Sequence, residues 1–355
     1  MRVLVTGICG FVGRHVATDL KKSFAEIEIV GLDNLIRRGS EINLAPLKAL
    51  GCLVVHGDVR VAEDIAELPR CDWIIDCAAN PSVLAGVTGG TSQLVSHNLI
   101  GTLNLLEKCR RDSAGFFILS SSRVYSIAAL NEIPLVERGS RFVVDETRAA
   151  PAGSSDHGVS EAFSTAAPVS LYGATKLASE IMALEYSAAF GFPVWIDRCG
   201  VIAGPGQFGR IDQGIFSYWI YQWLLGRPLS YIGYGGEGLQ VRDFVSPRDL
   251  TRLVEKQLRN PTLKVPRIVN VGGGPARSMS LRELSGFCQK NLGPGPSVRS
   301  VAETRLYDLP YFVTDARIAE QAWDWRPEES ADETLEAIAR WARDHRAVVE
   351  GLTAS

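Results

Sequence analysis

The amino-acid sequence predicts an α/β fold, a doubly wound parallel sheet followed by a smaller C-terminal lobe. In the first half of the chain, short apolar runs rich in β-branched residues alternate with stretches of helical periodicity, the pattern of such a sheet. In the second half, glycine-rich segments at 204–209, 233–238 and 272–274 separate shorter elements. The runs expected to form buried parallel strands are 3–5, 27–30, 53–55, 73–75, 116–119 and 194–196.

Two of the stretches between these runs repeat their packing residues every four positions. This repeat places the side chains on one face of a helix, as expected for a helix that covers a sheet. The repeating residues are Val12, Val16 and Leu20 in the first stretch and Leu94, Asn98, Thr102 and Leu106 in the second. Because crossovers between parallel strands are right-handed, few alternative topologies remain.

The length and composition fit one large domain with a satellite lobe. The chain has 355 residues, of which 46% are hydrophobic and 22% are charged, close to the average for globular proteins. We expect residues 1–200, joined by 243–271, to form a dinucleotide-binding domain, and residues 201–242 and 272–355 to form a substrate-binding lobe. The connection at 126–170 is long for a compact domain, so it is expected to be either a functional lid or an ordered insertion.

Charge and cysteine content argue against several functional classes. The net charge of −3 gives no reason to expect a nucleic-acid or membrane partner, and no apolar run approaches the roughly 18 residues of a membrane span. Regularly spaced glycines interrupt the apolar residues 1–20, which argues against a signal peptide. The seven cysteines are scattered and form no CxxC pair, so neither disulfides nor a metal site is expected. We therefore expect a reduced, cytoplasmic protein.

A glycine motif follows the first predicted strand and opens the first helix. Gly7 allows a tight turn, Gly10 lets the backbone approach a pyrophosphate, and Gly13 lets the helix pack closely on the strand. The helix N-terminus adds amide donors and a partial positive charge. With Phe11 and Val12 beside these glycines, the motif predicts a Rossmann dinucleotide site. The alternative is an ordinary strand–turn–helix with permissive glycines.

Asp33 stands at the end of the second strand, where a carboxylate can discriminate between NAD and NADP. It could bind both ribose hydroxyls of NAD and would repel the 2′-phosphate of NADP, so NAD is expected. Arg37 and Arg38 could favour NADP, but we expect them to be solvated or to face the substrate. Asp58 is placed to reach the adenine, with a loop-capping Asp as the alternative. Further residues expected to line the cofactor are Asn34, Val59, Ala78, Ala79 and Asn98.

Tyr172 and Lys176 begin a helical stretch after the long connection, and their spacing places both on one helical face. A phenol is a poor base at neutral pH, but a neighbouring ammonium and the cationic ring of NAD⁺ favour its phenolate. Tyr172 is thus a candidate general base, and both residues are expected to line the cofactor. This spacing is common by chance. The run Ser120-Ser121-Ser122, directly after the fifth strand, strengthens the catalytic assignment because a hydroxyl there can form a hydrogen bond with the reacting oxygen.

Over nearly its whole length the chain resembles the extended short-chain dehydrogenase/reductases, specifically the nucleotide-sugar epimerases and dehydratases. The motifs above carry this resemblance together with the segments 98–102, 124–125, 240–243 and 323–327. The resemblance implies an NAD cofactor and a nucleotide-sugar substrate. Counting back from Val124 and Tyr125, it also implies that Ser121 carries the catalytic hydroxyl.

Within that family the chain is most similar to the CDP-tyvelose (CDP-paratose) 2-epimerases. The long connection and the segments 206–208, 212–214 and 236–243 carry this narrower resemblance. Ser122 and Arg123 stand where the dehydratases have an Asp-Glu pair, which argues against dehydration.

The resemblance also implies which residues bind the substrate. Arg242 has a fork suited to a diphosphate, with Arg305 as a second candidate and a surface ion pair as the alternative for each. Cys199 stands where many UDP-sugar enzymes have an Asn, so the diphosphate contacts are expected to differ. Aromatic residues at 218–231 are expected to pack in the core or between subunits rather than on the base. The full substrate set is Asn80, Ser122, Arg123, Gln207, Gln213, Arg242 and Arg305.

Together these features favour a redox-neutral epimerase of a CDP-linked deoxy sugar. A hydride leaves a sugar carbon, C2 by the resemblance, for NAD⁺ while Tyr172 takes the hydroxyl proton, and the hydride returns to the opposite face of the keto-sugar. The alternatives are a UDP-sugar 4-epimerase, a net nucleotide-sugar oxidoreductase and a non-catalytic NAD-binding regulator. We expect a homodimer or homotetramer.

Overall fold

The computed structural model describes residues 1–87, 89–210 and 213–352, and it has the predicted α/β architecture. Its strands, in chain order, are β1 (Arg2–Thr6), β2 (Glu28–Asp33), β3 (Leu53–His56), β4 (Trp73–Asp76), β5 (Gly115–Ser121), β6 (Leu135–Arg138), β7 (Arg141–Val144), β8 (Ser154–Ser155), β9 (Gly158–Val159), β10 (Val194–Cys199), β11 (Val201–Ile202), β12 (Leu229–Ile232), β13 (Val241–Val245), β14 (Ile268–Val271), β15 (Ser278–Ser280), β16 (Val298–Val301) and β17 (Tyr311–Phe312). Its α-helices are α1 (Phe11–Ser23), α2 (Leu44–Ala49), α3 (Ala62–Ala66), α4 (Thr91–Val95), α5 (Gly101–Asp112), α6 (Ile127–Asn131), α7 (Ser170–Phe190), α8 (Ile215–Leu224), α9 (Pro247–Arg259), α10 (Leu281–Leu292), α11 (Arg317–Trp323), α12 (Ala331–Asp344) and α13 (Arg346–Leu352).

Seven parallel strands form the central sheet, in the order β14-β10-β5-β4-β1-β2-β3. All six strands expected from the sequence belong to it. The chain runs outward from β1 to β3 and then returns to β4 on the other side of β1, so the strand order reverses there. In sheets of this kind the crevice at the carboxyl ends beside the reversal is where ligands bind. The seventh strand, β14, lies inside the segment 243–271, and we retain the two-domain division as a proposal.

Helices cover both faces of the sheet, and the alternation of side chains along β1 shows why. Val3 and Val5 belong to one apolar core, which Val16 of α1 shares with residues of α9. Leu4, between them, belongs to the opposite core with Leu105 of α5. Because successive side chains of a strand point to opposite faces, a strand buried on both sides needs an apolar residue at each position.

The second lobe is built around α8, α10 and α12, with short strands at its rim. Trp219, Tyr221 and Trp223 of α8 are buried in its apolar core, and Tyr231 stacks on Trp219 with ring centroids 5.5 Å apart. The strands β11, β13, β15 and β17 form a small separate sheet. The aromatic residues of this region therefore pack mainly in the core, as the sequence indicated.

The long connection at 126–170 is an ordered insertion. It contains α6, the hairpin β6–β7 and the short pair β8–β9. Arg141 pairs with Glu283 at 2.7 Å, and the Phe142 amide donates to the Leu239 carbonyl at 3.0 Å. The Val159 amide donates to the carbonyl of Val313 at 2.8 Å. These contacts tie the insertion to the C-terminal lobe along its length.

All seven cysteines are free thiols, six of them buried and Cys77 half-buried. Burial raises the pKa of the Cys9 thiol to about 12, which keeps it neutral and unreactive at physiological pH. Within the described residues, no group of three or more His, Cys, Asp or Glu side chains could hold a metal ion. None of the described helices is long and apolar enough to span a membrane.

Candidate active site

The glycine motif forms a tight loop between β1 and α1 at the reversal of the strand order. Gly7 has φ +59°, a conformation that side-chain-bearing residues rarely adopt. A Cβ on Gly10 would lie 3.0 Å from the Gly7 carbonyl oxygen, and a Cβ on Gly13 would clash with the same oxygen. The tight turn and the close packing of α1 on it therefore require that these positions lack side chains. A loop of this kind at a helix N-terminus fits the pyrophosphate of a dinucleotide.

Asp33 lies directly beside this loop. Its Oδ2 accepts a hydrogen bond from the Cys9 amide at 2.8 Å, and its Oδ1 accepts one from the Leu35 amide at 2.8 Å. Each carboxylate oxygen keeps further acceptor capacity, which suits the two ribose hydroxyls of NAD. Arg37 donates to the Phe208 carbonyl at 2.7 Å, and Arg38 is exposed. Arg37 thus ties the cofactor domain to the second lobe, a role not expected from the sequence.

Asp58 contacts a second predicted cofactor residue. It accepts hydrogen bonds from Asn34 Nδ2 at 2.9 Å and from the Arg60 side chain at 2.6 and 2.9 Å. The hydrogen bonds from the Arg60 side chain hold the pKa of the Asp58 carboxyl well below its usual range. The Arg60 amide also donates to the Asp58 carboxylate at 2.9 Å, so Asp58 stabilises its own loop. Val59 is 7% exposed and packs in the core.

Asn98 organises the end of β4 beside the glycine loop. It lies in a π-helical turn, Ser96–Ile100, that joins α4 to α5, and it is 1% exposed. Its Oδ1 accepts from the Asn80 amide at 2.8 Å, and its Nδ2 donates to the Asn80 carbonyl at 3.1 Å. The backbone of Ala78 contacts Gly7, while Ala79 is exposed. Nδ2 also donates to Thr175 Oγ1 of α7 at 3.2 Å, so Asn98 positions Asn80 and links it to α7.

The start of α7 packs against the turn that follows β5, which brings the three predicted catalytic residues to one end of the sheet. A Cβ on Gly173 would clash with the Arg123 carbonyl oxygen, so the helix and the turn are in direct contact. Ser121 Oγ accepts from the Arg123 amide at 3.1 Å. Lys176 is 2% exposed and donates to the Leu119 carbonyl at 3.0 Å, while Tyr172 is 7% exposed.

The neighbouring serine has a different task. Ser120 Oγ donates to Glu180 Oε1 at 2.5 Å, and Glu180 forms a buried ion pair with Arg198 at 2.7 Å. Because successive strand residues face opposite sides, this arrangement supports Ser121 as the residue that faces the site. Arg198 also lies over the ring of Tyr125, 5.2 Å from its centroid. A network of charged and polar groups thus braces the strand end that carries Ser121.

A cleft of about 260 Å³ opens beside this turn, between the two halves of the molecule. Four of the predicted substrate residues line it: Arg123, Gln213, Arg242 and Arg305. The remaining three, Asn80, Ser122 and Gln207, are not among its described lining residues. The amide group of Gln207 bonds the Ile202 carbonyl at 2.9 Å and Ser217 Oγ at 2.8 Å, which holds a loop together. Asp212, part of the segment 212–214, lies outside the described residues.

Other residues of the cleft were missed at the sequence level. Asp308 accepts from Arg242 Nη2 at 3.2 Å, and the Tyr307 carbonyl accepts from Arg123 Nη1 at 3.1 Å. Val83, Leu84 and Tyr218 also line the cleft. Tyr307 and Asp308 closely follow Arg305 in the sequence, and this proximity could have indicated them as cleft residues. They lie in an irregular loop, however, where no periodicity marks them.

Comparison with known proteins agrees with this geometry. The model of the NAD dependent epimerase/dehydratase family matches residues 3–272, three quarters of the chain. The chain belongs to the NAD dependent epimerase/dehydratase family. NAD is therefore its cofactor. The match also makes the chain an epimerase or a dehydratase.

Three relatives illustrate the range of this family. The chain is 28% identical to CDP-paratose 2-epimerase of Salmonella typhi, over 96% of this chain and 99% of the relative. It is also 28% identical to dTDP-glucose 4,6-dehydratase of Streptomyces antibioticus, over 99% of this chain and 95% of the relative. The crystal structure of Thermus thermophilus UDP-glucose 4-epimerase with NAD superposes with a TM-score of 0.74 at 25% identity, covering 97% and 100% of the two chains.

Replacing Asp33 with alanine should weaken NAD binding about 10- to 100-fold, since hydrogen bonds to a charged group contribute about 1.5–3 kcal/mol. It should also narrow the preference for NAD over NADP, because the carboxylate that repels the 2′-phosphate is lost. Titration of both cofactors into cofactor-free protein measures this. Glu28→Ala, at the exposed opposite end of β2, is the control. Equal NAD affinity in Asp33→Ala and the parent would place Asp33 away from the ribose.

Proposed function

We propose that the chain is an NAD-dependent epimerase of a nucleotide-activated sugar, a CDP-linked deoxy sugar epimerised at C2. The observation that carries the proposal is the packing of α7 on the turn after β5, which gathers Ser121, Tyr172 and Lys176 beside an arginine-lined cleft. The similarity to CDP-paratose 2-epimerase, which spans both chains almost completely, supports the narrower assignment.

The charges of the cleft support epimerisation over dehydration. Elimination of water needs an acid and a base at the sugar, in addition to the tyrosine. Ser122 and the cationic Arg123 follow Ser121 in this chain. Among the described residues that line the cleft, Asp308 is the single carboxylate, and it is paired with Arg242 at 3.2 Å. This set of side chains suits a substrate that keeps all of its oxygen atoms.

Each catalytic residue has a defined task in the proposed reaction. When bound, NAD⁺ supplies a reversible hydride acceptor beside the sugar. Tyr172 removes the proton of the hydroxyl at the reacting carbon, and the Lys176 ammonium, held by the Leu119 carbonyl at 3.0 Å, stabilises the phenolate. Ser121 Oγ holds the same sugar oxygen. The keto-sugar then rotates in the cleft, and reduction of its opposite face inverts the configuration of the reacting carbon.

We propose that the protein forms a homodimer or homotetramer, because α7 exposes Ile181 and Phe190, each more than half accessible to solvent. We also propose a cytoplasmic location, which the free state of the seven cysteines supports.

The proposal is tested by offering CDP-paratose and CDP-tyvelose to the purified protein without added cofactor and following the sugar signals by NMR. We expect each sugar to be converted into the other. UDP-glucose and UDP-galactose serve as comparison substrates. Interconversion of the UDP sugars alone would discard the C2 assignment in favour of a 4-epimerase. A requirement for stoichiometric added NAD would indicate a net oxidoreductase, and no reaction of any sugar would favour a regulator.

A further inference from the structure

One carboxyl group lies within the apolar core of the central sheet. Asp197, in β10, is fully buried. Leu119 of β5 and Val269 of β14 are in register with it, and Trp195 and Cys199 stand two positions away from it along β10. These four residues belong to the apolar core that α9 also covers. Because alternate side chains of a strand point to the same face, the Asp197 carboxyl lies in this core.

Among the described residues, no cation neutralises this carboxyl. Asp197 forms no ion pair with any of them, and the charge of Lys176 reaches Cys199 but not Asp197. Arg267, directly before β14, lies over the ring of Trp195, 4.2 Å from its centroid. The Cys199 thiol is neutral, since burial raises its pKa well above the usual range. An ionised Asp197 would therefore stand in the apolar core without a counter-charge, which is costly in free energy.

Gln257 of α9 is the polar group that meets Asp197. Its Nε2 donates to Asp197 Oδ1 at 2.9 Å. Two buried oxygens, Asp197 Oδ2 and Gln257 Oε1, have no protein partner among the described residues. Each shares a carbon with an atom of the existing hydrogen bond, so a second hydrogen bond can join the same two groups. With the carboxyl ionised, both oxygens are acceptors, whereas a proton on Oδ2 supplies the missing donor.

We propose that Asp197 is a neutral carboxylic acid in the folded protein and forms a cyclic pair with Gln257, which makes the contact of α9 with β10 sensitive to pH. In this pair Gln257 Nε2 donates to Oδ1 while the protonated Oδ2 donates to Gln257 Oε1. Both of the unpartnered oxygens are then satisfied. When the pH rises, the proton passes to solvent, and the remaining carboxylate faces the Gln257 carbonyl oxygen without a donor between them.

The proton on Asp197 links the stability of the fold to pH. Burial raises the pKa of the Asp197 carboxyl to about 7, although the Gln257 hydrogen bond lowers it. In the unfolded chain the same carboxyl ionises near its ordinary pKa of about 4. Between these two values the folded protein holds the proton and the unfolded chain does not, so stability falls as the pH rises. This contribution is complete below about pH 4 and is lost as the pH rises through about 7.

The first test compares urea unfolding of the parent and of Asp197→Asn at saturating NAD over a range of pH. Asparagine has the same shape as aspartate, and its amide donates to Gln257 Oε1 at every pH. Other titrating groups cancel in the comparison. Relative to Asp197→Asn, the unfolding equilibrium constant of the parent should rise about tenfold for each pH unit between about pH 5 and 6 and level off above about pH 8. Asp344→Asn changes an exposed carboxyl of α12 and should show no such dependence.

The second test observes the proton itself, by infrared difference spectroscopy of the folded parent against Asp197→Asn. At about pH 6 we expect the carbonyl band of a protonated carboxylic acid, which should disappear above about pH 8. Gln257→Met removes both hydrogen bonds of the pair and should shift this band to higher frequency. It provides the same evidence if Asp197→Asn does not fold.

Two results would overturn the proposal. One is a carboxylate band from Asp197 at about pH 6, which would mean that the carboxyl is ionised in the core. The other is a difference in unfolding between the parent and Asp197→Asn that does not change with pH. Because neither measurement uses a sugar substrate, the outcome is independent of the proposed epimerase activity.

Discussion

Replacing Tyr172 with phenylalanine should lower turnover by about 10²- to 10⁴-fold, the usual contribution of general-base catalysis, while NAD content stays unchanged. The phenol is the group proposed to take the sugar hydroxyl proton, and phenylalanine has the same shape without it. Tyr172 lies in a buried position at the start of α7, so a ring of equal size should preserve the packing there. The rate is measured with saturating substrate, and the cofactor is measured by mass spectrometry of the denatured protein.

A second tyrosine on the same helix provides the control. Tyr186 lies more than three turns further along α7, and its hydroxyl donates to Glu107 at 2.6 Å on the surface. Tyr186→Phe should therefore turn over like the parent. Near-normal turnover by Tyr172→Phe would remove the general base from the mechanism and leave the catalytic assignment without support.

Replacing Glu180 with alanine should lower the free energy of unfolding by about 3–5 kcal/mol, because it leaves the buried charge of Arg198 without its partner. Glu180 is 1% exposed and Arg198 6% exposed, so water cannot replace the lost carboxylate easily. Ser120 would also lose its acceptor. Urea unfolding at saturating NAD measures the change.

Glu185→Ala removes a carboxylate from an exposed position of the same helix and should change the unfolding free energy by less than about 0.5 kcal/mol. If Glu180→Ala lowers the free energy of unfolding by less than about 1 kcal/mol, Arg198 must find another partner or water. The buried pair would then not brace the strand end that carries Ser121.

The central sheet could be predicted because its signals are local. Each parallel strand is buried on both faces, so it reads as a continuous apolar run, as in Val3, Leu4 and Val5. The glycine loop could be predicted for the same reason, since the tight turn at Gly7 and the contact at Gly13 restrict the residue type within one short segment. Counting from Val124 and Tyr125 favours Ser121 over Ser120 as the catalytic serine, and the contact of Ser120 with Glu180 supplies a physical reason.

The contacts that hold the insertion and part of the cleft could not be predicted, because they join residues far apart in the chain. The hairpin β6–β7 is held by the hydrogen bond from the Phe142 amide to the Leu239 carbonyl and by the ion pair of Arg141 with Glu283. No periodicity within residues 126–170 indicates such partners. Gln207 was expected at the substrate, but Ser217 and the Ile202 carbonyl hold its amide group. The role of Asp308 beside Arg242 follows from the path of an irregular loop.

The measurement that tests the central claim most directly is the conversion of CDP-paratose in deuterium oxide, followed by analysis of the product for deuterium at C2. A nucleotide-linked deoxy sugar has no carbonyl beside C2, so its C–H bond there is too weakly acidic for a side-chain base to break. Removal and return of the hydrogen as hydride avoids this difficulty and keeps it from exchanging with solvent. We expect CDP-tyvelose with no deuterium at C2, formed without added cofactor. Solvent deuterium at C2 would contradict the hydride mechanism.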